Sequence, residues 1–220
     1  MKKKIDLVIL SGGKGRKIKN SPNNRPKPMV SFNKINFLKE YFFDTSKKII
    51  PSIDQIRKII KIKDNLIIAH KNGKKIMVFG NGGSASIASH FSVDLTKNAK
   101  LRGVNYNEAD LITCFSNDYG YEKWIEMAIK FYGDKGDILI VISTSGMSKN
   151  IINGIYAARK KKFKSIITFT GHNKKNSVSR LGDINMWVDS KAYNIVENIH
   201  QTWLLSIVDL IIGKKEYPSN

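Results

Sequence analysis

His90 and Asp94 stand four residues apart in a stretch patterned as helix, so an imidazole and a carboxylate share one face. Glu197 and His200 stand three apart near the other end of the chain and are roughly co-facial on a second helix. Two helices that each offer a carboxylate and an imidazole can hold a divalent metal or move protons. Just before the first pair comes Gly80-Asn81-Gly82-Gly83-Ser84, a glycine-rich turn between an apolar run and a helix. A second turn, Ser143-Thr144-Ser145-Gly146-Met147-Ser148, places four hydroxyls within six residues. Each hydroxyl donates a hydrogen bond, and the N–H groups of a helix N-terminus favour an anion. The two turns together read as a phosphate cradle without a fixed cation. Ser116-Asn117-Asp118-Tyr119-Gly120-Tyr121-Glu122 adds polar side chains suited to a sugar's hydroxyls, at the end of an expected strand.

The elements that must position these groups follow from the apolar pattern. Ile5–Leu10 reads as a buried strand, Ser11–Arg16 as a glycine-rich turn, and Pro22, Pro26 and Pro28 mark residues 17–28 as loop. A short helix is expected over 35–43. Ile53, Ile56, Ile59, Ile60, Leu66 and Ile67 form a helical stripe that Asn72-Gly73 ends. Strands are expected at 75–79, 111–115, 138–142, 165–170 and 184–188. Helices are expected at 84–97, near 121–132, from about 149 to 162 and over 195–212. Strands separated by helices argue for an α/β fold with a doubly wound parallel sheet, whose ligands sit at the carboxyl ends of the strands.

The 220 residues suffice for one domain with an extension. No apolar run in the sequence approaches the ~20 residues that span a bilayer. Met1-Lys2-Lys3-Lys4 and the apolar run after it lack a signal peptide's length and cleavage site, so a cytoplasmic protein away from membranes is expected. The lone Cys114 lies in an apolar stretch and reads as an inert core thiol. The formal net charge of +20 suggests nucleic acid, but the chain has 32 Lys against 6 Arg, together with 32 Ile. Lysine and isoleucine rising together point to nucleotide bias in the gene. Specific nucleic-acid binding is disfavoured, and attraction of an anionic substrate is favoured.

Gly80-Asn81-Gly82-Gly83-Ser84, His90-Phe91 and Asp94-Leu95-Thr96 resemble the signature of the sugar isomerase (SIS) domain. Within that group the chain resembles the phosphoheptose, or sedoheptulose 7-phosphate, isomerases. Asn117-Asp118-Tyr119-Gly120-Tyr121, Ile142–Ser148 and Val196-Glu197-Asn198-Ile199-His200 follow in the family's order and spacing. The resemblance covers about residues 44–220. It implies a three-layer α/β fold with a five-stranded parallel sheet between helices, a homotetramer with sites at subunit interfaces, and a ketose–aldose interconversion. That reaction feeds surface-polysaccharide heptose. By motif, Ser143, Thr144, Ser145 and Ser148 would hold the phosphate. Asn81, Gly82, Gly83, Ser84, Asn117 and Asp118 would face the sugar. His90 corresponds to a zinc ligand, and Asp94 and Glu197 would serve as base and as further ligands.

Three positions depart from that pattern. Asp94 stands where the family has glutamate, Glu197 where it commonly has glutamine, and Leu205 where it has a histidine that is both acid and metal ligand. Leucine can neither ligate nor transfer a proton, which leaves the implied zinc with an incomplete ligand set. Either Glu197 or His200 takes over, or the zinc chemistry is lost. His200, five residues before Leu205, is turned ~140° away on a helix and is not a simple stand-in. A non-catalytic SIS module that binds a phosphosugar for regulation is the alternative reading. Leu7–Arg16 and Arg25-Pro26-Lys27-Pro28-Met29-Val30 resemble the opening of sugar-phosphate nucleotidyltransferases, so residues 1–43 are expected to be a fragment of that kind.

Overall fold

The structure, a computed structural model, describes residues 33–218. The chain divides into Met1–Glu40 and Tyr41–Asn220. The strand, turn and loop expected before residue 33, and the nucleotidyltransferase-like motifs there, lie outside the described residues. Helix α1 spans Lys34–Ile49 and α2 Ile53–Lys71. There follow β1 (Ile76–Gly80), α3 (Gly83–Lys97), β2 (Gly103–Val104), α4 (Ala109–Tyr119), a 3₁₀ turn (Tyr121–Lys123) and α5 (Trp124–Tyr132). The chain continues through β3 (Ile138–Ser143), α6 (Lys149–Lys160), β4 (Ser165–Thr170), α7 (Ser177–Leu181), β5 (Ile184–Trp187) and α8 (Tyr193–Ile212).

All strand pairs are parallel, in the order β2-β1-β3-β4-β5. The fold is the expected three-layer α/β arrangement, because alternate residues of each strand feed opposite layers. On one face Ile76, Val78, Ile140, Ile142 and Phe169 pack with Ile62 and Leu66 of α2, Phe91 and Leu95 of α3, and Trp203 and Leu204 of α8. On the other, Met77, Phe79, Leu139 and Val141 pack with Trp124, Ile125 and Ile129 of α5 and Ile151 and Ile155 of α6. β1, β3 and β4 are buried along their whole length, as continuous apolar runs between helical layers require. The winding reverses between β1 and β3, and the crevice outside their carboxyl ends is where such sheets bind ligands.

Local chemistry sets the ends. Ser52 and Gln55 form a capping box at the start of α2, and Gln55 also donates to the Trp187 carbonyl at 2.9 Å, tying α2 to β5. α8 is long and apolar enough to cross a membrane, yet eight of its residues, from Ile195 to Val208, are buried in the core. Its apolar composition is accounted for by packing.

Two expectations fail in the same place. Leu111–Phe115 is not a strand; it lies within α4. Leu111, Ile112 and Phe115 are spaced for one helix face as well as for a short strand, and they pack partly buried against the second layer. The fifth strand is Gly103–Val104, two residues that leave no periodic trace in the sequence. Cys114 is therefore exposed on α4, its Sγ 3.8 Å from Asp118 Oδ2, and is not a core thiol. The helix period turns it away from the face its neighbours bury.

Candidate active site

β1 ends at Gly80, and the chain turns through Asn81 and Gly82 into α3. Asn81 and Asn150 exchange amide hydrogen bonds. Asn81 Nδ2 donates to Asn150 Oδ1 at 3.0 Å, and Asn150 Nδ2 donates to Asn81 Oδ1 at 2.9 Å. The Tyr121 hydroxyl adds a third bond to Asn81 Oδ1 at 3.1 Å. Asn150 is buried at the start of α6, so the pair locks the glycine turn after β1 to the hydroxyl turn after β3. Asn81 lines the site, but its amide is engaged within the chain.

The hydroxyl turn leaves β3 at Ser143. Ser143 Oγ lies 3.4 Å from Ser148 Oγ, and Ser148 occupies the N-cap of α6 without capping it through its side chain. Thr144 is buried, and among the described residues its Oγ1 has no hydrogen-bond partner. A buried hydroxyl left unpaired costs ~1–3 kcal/mol unless a ligand satisfies it. Gly146 holds φ +66°, and a Cβ there would run into the buried amide of Asn176, so only glycine fits. Asn81, Ser84, Ile142, Ser143, Thr144, Ser145, Ser148, Tyr193 and Glu197 line a cavity of about 150 Å³ at this point. That is small beside the ~300–1,000 Å³ of pockets for drug-sized ligands, and it suits a phosphate with the carbons next to it.

Glu197 closes the cavity from α8. Partial burial raises its pKa from the ordinary value, and the hydrogen bond from Ser84 offsets part of that rise. Its carboxylate lies over Gly83, where an added Cβ would come within 2.8 Å of Cδ. A partly desolvated carboxylate beside a phosphate-type turn is equipped to take a proton from a bound sugar.

The remaining residues singled out from the sequence fall elsewhere. His90 Nε2 is 3.4 Å from Asp94 Oδ2, further along α3, and neither residue lines the cavity. Gln201 Nε2 lies 3.2 Å from His90 Nδ1. His200 is buried in the apolar core, its ring edge-on to Phe169 and its Nε2 3.1 Å from the Thr170 carbonyl. Burial lowers its pKa to about 4, so it is a neutral core residue, and its place against Phe169 and Thr170, outside the cavity, keeps it from replacing a metal ligand there. Asn117 and Asp118 are exposed on the last turn of α4, and the residue from that stretch that reaches the glycine turn is Tyr121. Among the described residues no three His, Cys, Asp or Glu side chains converge as a metal site. Glu197 is turned to Ser84, Leu205 offers no donor, and His90 with Asp94 supplies only two. Within one chain, the described residues do not fit a resident zinc.

Sequence reading missed Asn150, Tyr193, Asn176 and Gln201. Asn150, two residues after Ser148, was the most accessible of these, since a polar residue in the first turn of a helix facing a ligand turn is a signal in itself. Gln201 lies one helical turn after Glu197 and could have been placed on the same face by spacing alone.

Residues 41–171, more than half of the chain, match the SIS domain. The phosphoheptose isomerase of Buchnera aphidicola subsp. Acyrthosiphon pisum is 34% identical over 183 residues, 79% of this chain and 93% of that protein. The phosphoheptose isomerase of Glaesserella parasuis is 40% identical over 136 residues, covering 59% and 70%. Among solved structures, a phosphoheptose isomerase from Francisella tularensis superposes with a TM-score of 0.75 at 25% identity, covering 83% of this chain and all of that one. GmhA from Neisseria gonorrhoeae gives 0.73 at 23% identity, covering 81% and 98%, and so shares the fold.

Proposed function

The chain belongs to the SIS-domain family and sits among its phosphoheptose isomerases, and from that premise we propose that it interconverts sedoheptulose 7-phosphate and a heptose 7-phosphate through an enediol. The observation that carries the reading is one cavity that joins the unpaired Thr144 hydroxyl and the serine turn to the Glu197 carboxylate. Ser143, Thr144, Ser145 and Ser148, with N–H groups of the α6 N-terminus, hold the phosphate. Glu197 takes a proton from C1, next to the C2 ketone, while the C2 oxygen gains a proton, giving the enediol. The C1 hydroxyl then gives up its proton and C2 accepts one, leaving an aldehyde at C1. Gripping the phosphate confines the carbon chain and removes much of the entropy cost of bringing base and C–H together. Asp94, outside the cavity, is not assigned the proton.

We place the reaction in the cytoplasm, supplying heptose for a surface polysaccharide, and in a homotetramer. Exposed Phe42, Phe43, Ile53, Ile56 and Ile60 on α1 and α2 support assembly, since apolar side chains at helical spacing on an outer face call for a partner. The test is turnover of sedoheptulose 7-phosphate followed by NMR in heavy water. Deuterium at the carbon beside the carbonyl together with an aldose signal is expected. No exchange, with thermal stabilisation by the sugar phosphate, would refute catalysis and leave a phosphosugar-binding module.

A further inference from the structure

Glu197 and Gln201 are one turn apart on the same face of α8, and both reach α3: Glu197 meets Ser84, and Gln201 meets His90. The two helices therefore run side by side, joined by two polar rungs. The second rung continues along α3. His90 Nε2 faces Asp94 Oδ2 at 3.4 Å, and Asp94 Oδ1 accepts from Asn98 Nδ2 at 3.0 Å.

The protons on this chain of groups can be assigned from its geometry. The Gln201 amide NH₂ can only donate, so its 3.2 Å contact makes His90 Nδ1 the acceptor. In a neutral imidazole the proton then sits on Nε2, the nitrogen turned towards Asp94 Oδ2. Gln201 donates to His90 Nδ1, His90 Nε2 faces Asp94 Oδ2 at 3.4 Å, and Asn98 donates to the other oxygen of Asp94. The bare imidazole nitrogen and one carboxylate oxygen are thereby engaged within the chain. A zinc ligand must present a free lone pair, but the bare nitrogen here is capped by Gln201. One turn further on, at the position where the resemblance implies a histidine ligand, stands Leu205.

We propose that this seam takes no resident zinc, and that Gln201 is a positioning residue that does a metal's bracing work: it clips α8 to α3 one turn from Glu197 and so holds the carboxylate over Gly83 and Ser84. The seam itself stands on the hydrogen-bond geometry; its part in turnover rests on the isomerase reading above.

The full-length protein is mixed with zinc chloride, desalted, and its metal content measured. Retention of fewer than about one zinc per ten chains is expected, because two protein donors do not make a stable zinc site. In ¹⁵N histidine spectra, His90 is expected as the Nε2–H form, its signals assigned with His90→Gln. Gln201→Leu removes the partner of Nδ1, so that resonance moves while the signals of buried His200 stay in place. The same variant is expected to lower kcat about tenfold with KM within about twofold, as a loosened base does. One zinc retained per chain and lost in His90→Gln would overturn the proposal, as would an Nδ1 resonance indifferent to Gln201→Leu. A wild-type protein with no turnover at all would refute the isomerase reading, while zinc retention and the nitrogen signals would still decide the seam.

Discussion

Replacing Gly83 by alanine tests whether Glu197 is the base. A Cβ at Gly83 would stand 2.8 Å from Glu197 Cδ and 2.9 Å from Oε1, whereas carbon atoms in ordinary contact are ~3.5–4.0 Å apart. The obstacle meets the tip of a side chain, so the carboxylate retreats by roughly 1 Å while the backbone stays. A displacement of about 1 Å at a reacting group can cost ~100-fold in rate, equivalent to about 3 kcal/mol of barrier. Folding should not suffer. Gly83 is exposed at the first position of α3, its φ lies outside the left-handed region, and alanine in helical backbone favours folding by up to about 1 kcal/mol over glycine. The assay is kcat for sedoheptulose 7-phosphate beside the melting temperature and the affinity for inorganic phosphate. A ~100-fold fall in kcat with the other two quantities unchanged is expected. A kcat within about threefold of wild type would refute the placement of the base, and a fall in kcat matched by a fall in melting temperature would refute the separation of site from fold.

Other outcomes follow from the same geometry. Glu197→Gln should abolish deuterium exchange without destabilising the protein. Burial raises the folded-state pKa of Glu197, so its contribution to stability declines as pH rises from the unfolded value through the folded one, and thermal melts at neutral pH should show the variant at least as stable as wild type. Wild-type kcat should rise with pH through that raised pKa. His200, held neutral with a pKa of about 4 against an ordinary 6.5, has the opposite sign of dependence. The unfolded chain takes up a proton below 6.5 that the folded one refuses, so stability should fall by roughly 2 kcal/mol between about pH 7.5 and pH 5. Denaturant titrations of wild type and His200→Phe should show that dependence only in the former. Asn150→Ala breaks the reciprocal amide pair to Asn81 and should weaken inorganic phosphate binding by about tenfold, read by calorimetry, because the two turns lose their common anchor.

The positions of the central strands and main helices were legible because their patterns are long and local. A continuous apolar run such as residues 138–142, followed by four hydroxyls and a helix, specifies a buried parallel strand with an anion-binding turn at its end without reference to any distant residue. The failures have the opposite character. Leu111–Phe115 is five residues of ambiguous period, and β2 is two residues whose strand state exists only because β1 offers a free edge.

The chemistry divides in the same way. Residue types and spacing pointed to phosphate-binding turns and a co-facial His90 and Asp94, and the resemblance to the phosphoheptose isomerases marked Leu205 as standing where that family has a ligand. Only the packing of α8 along α3 decided which carboxylate meets the cavity. Both helices present several polar groups at helical spacing, and spacing is silent about which group of one helix lies opposite which group of the other. That register is set by the core beneath, by Phe91 and Leu95 against Trp203 and Leu204, which brings Glu197 to Ser84, Gln201 to His90, and His200 into the apolar interior.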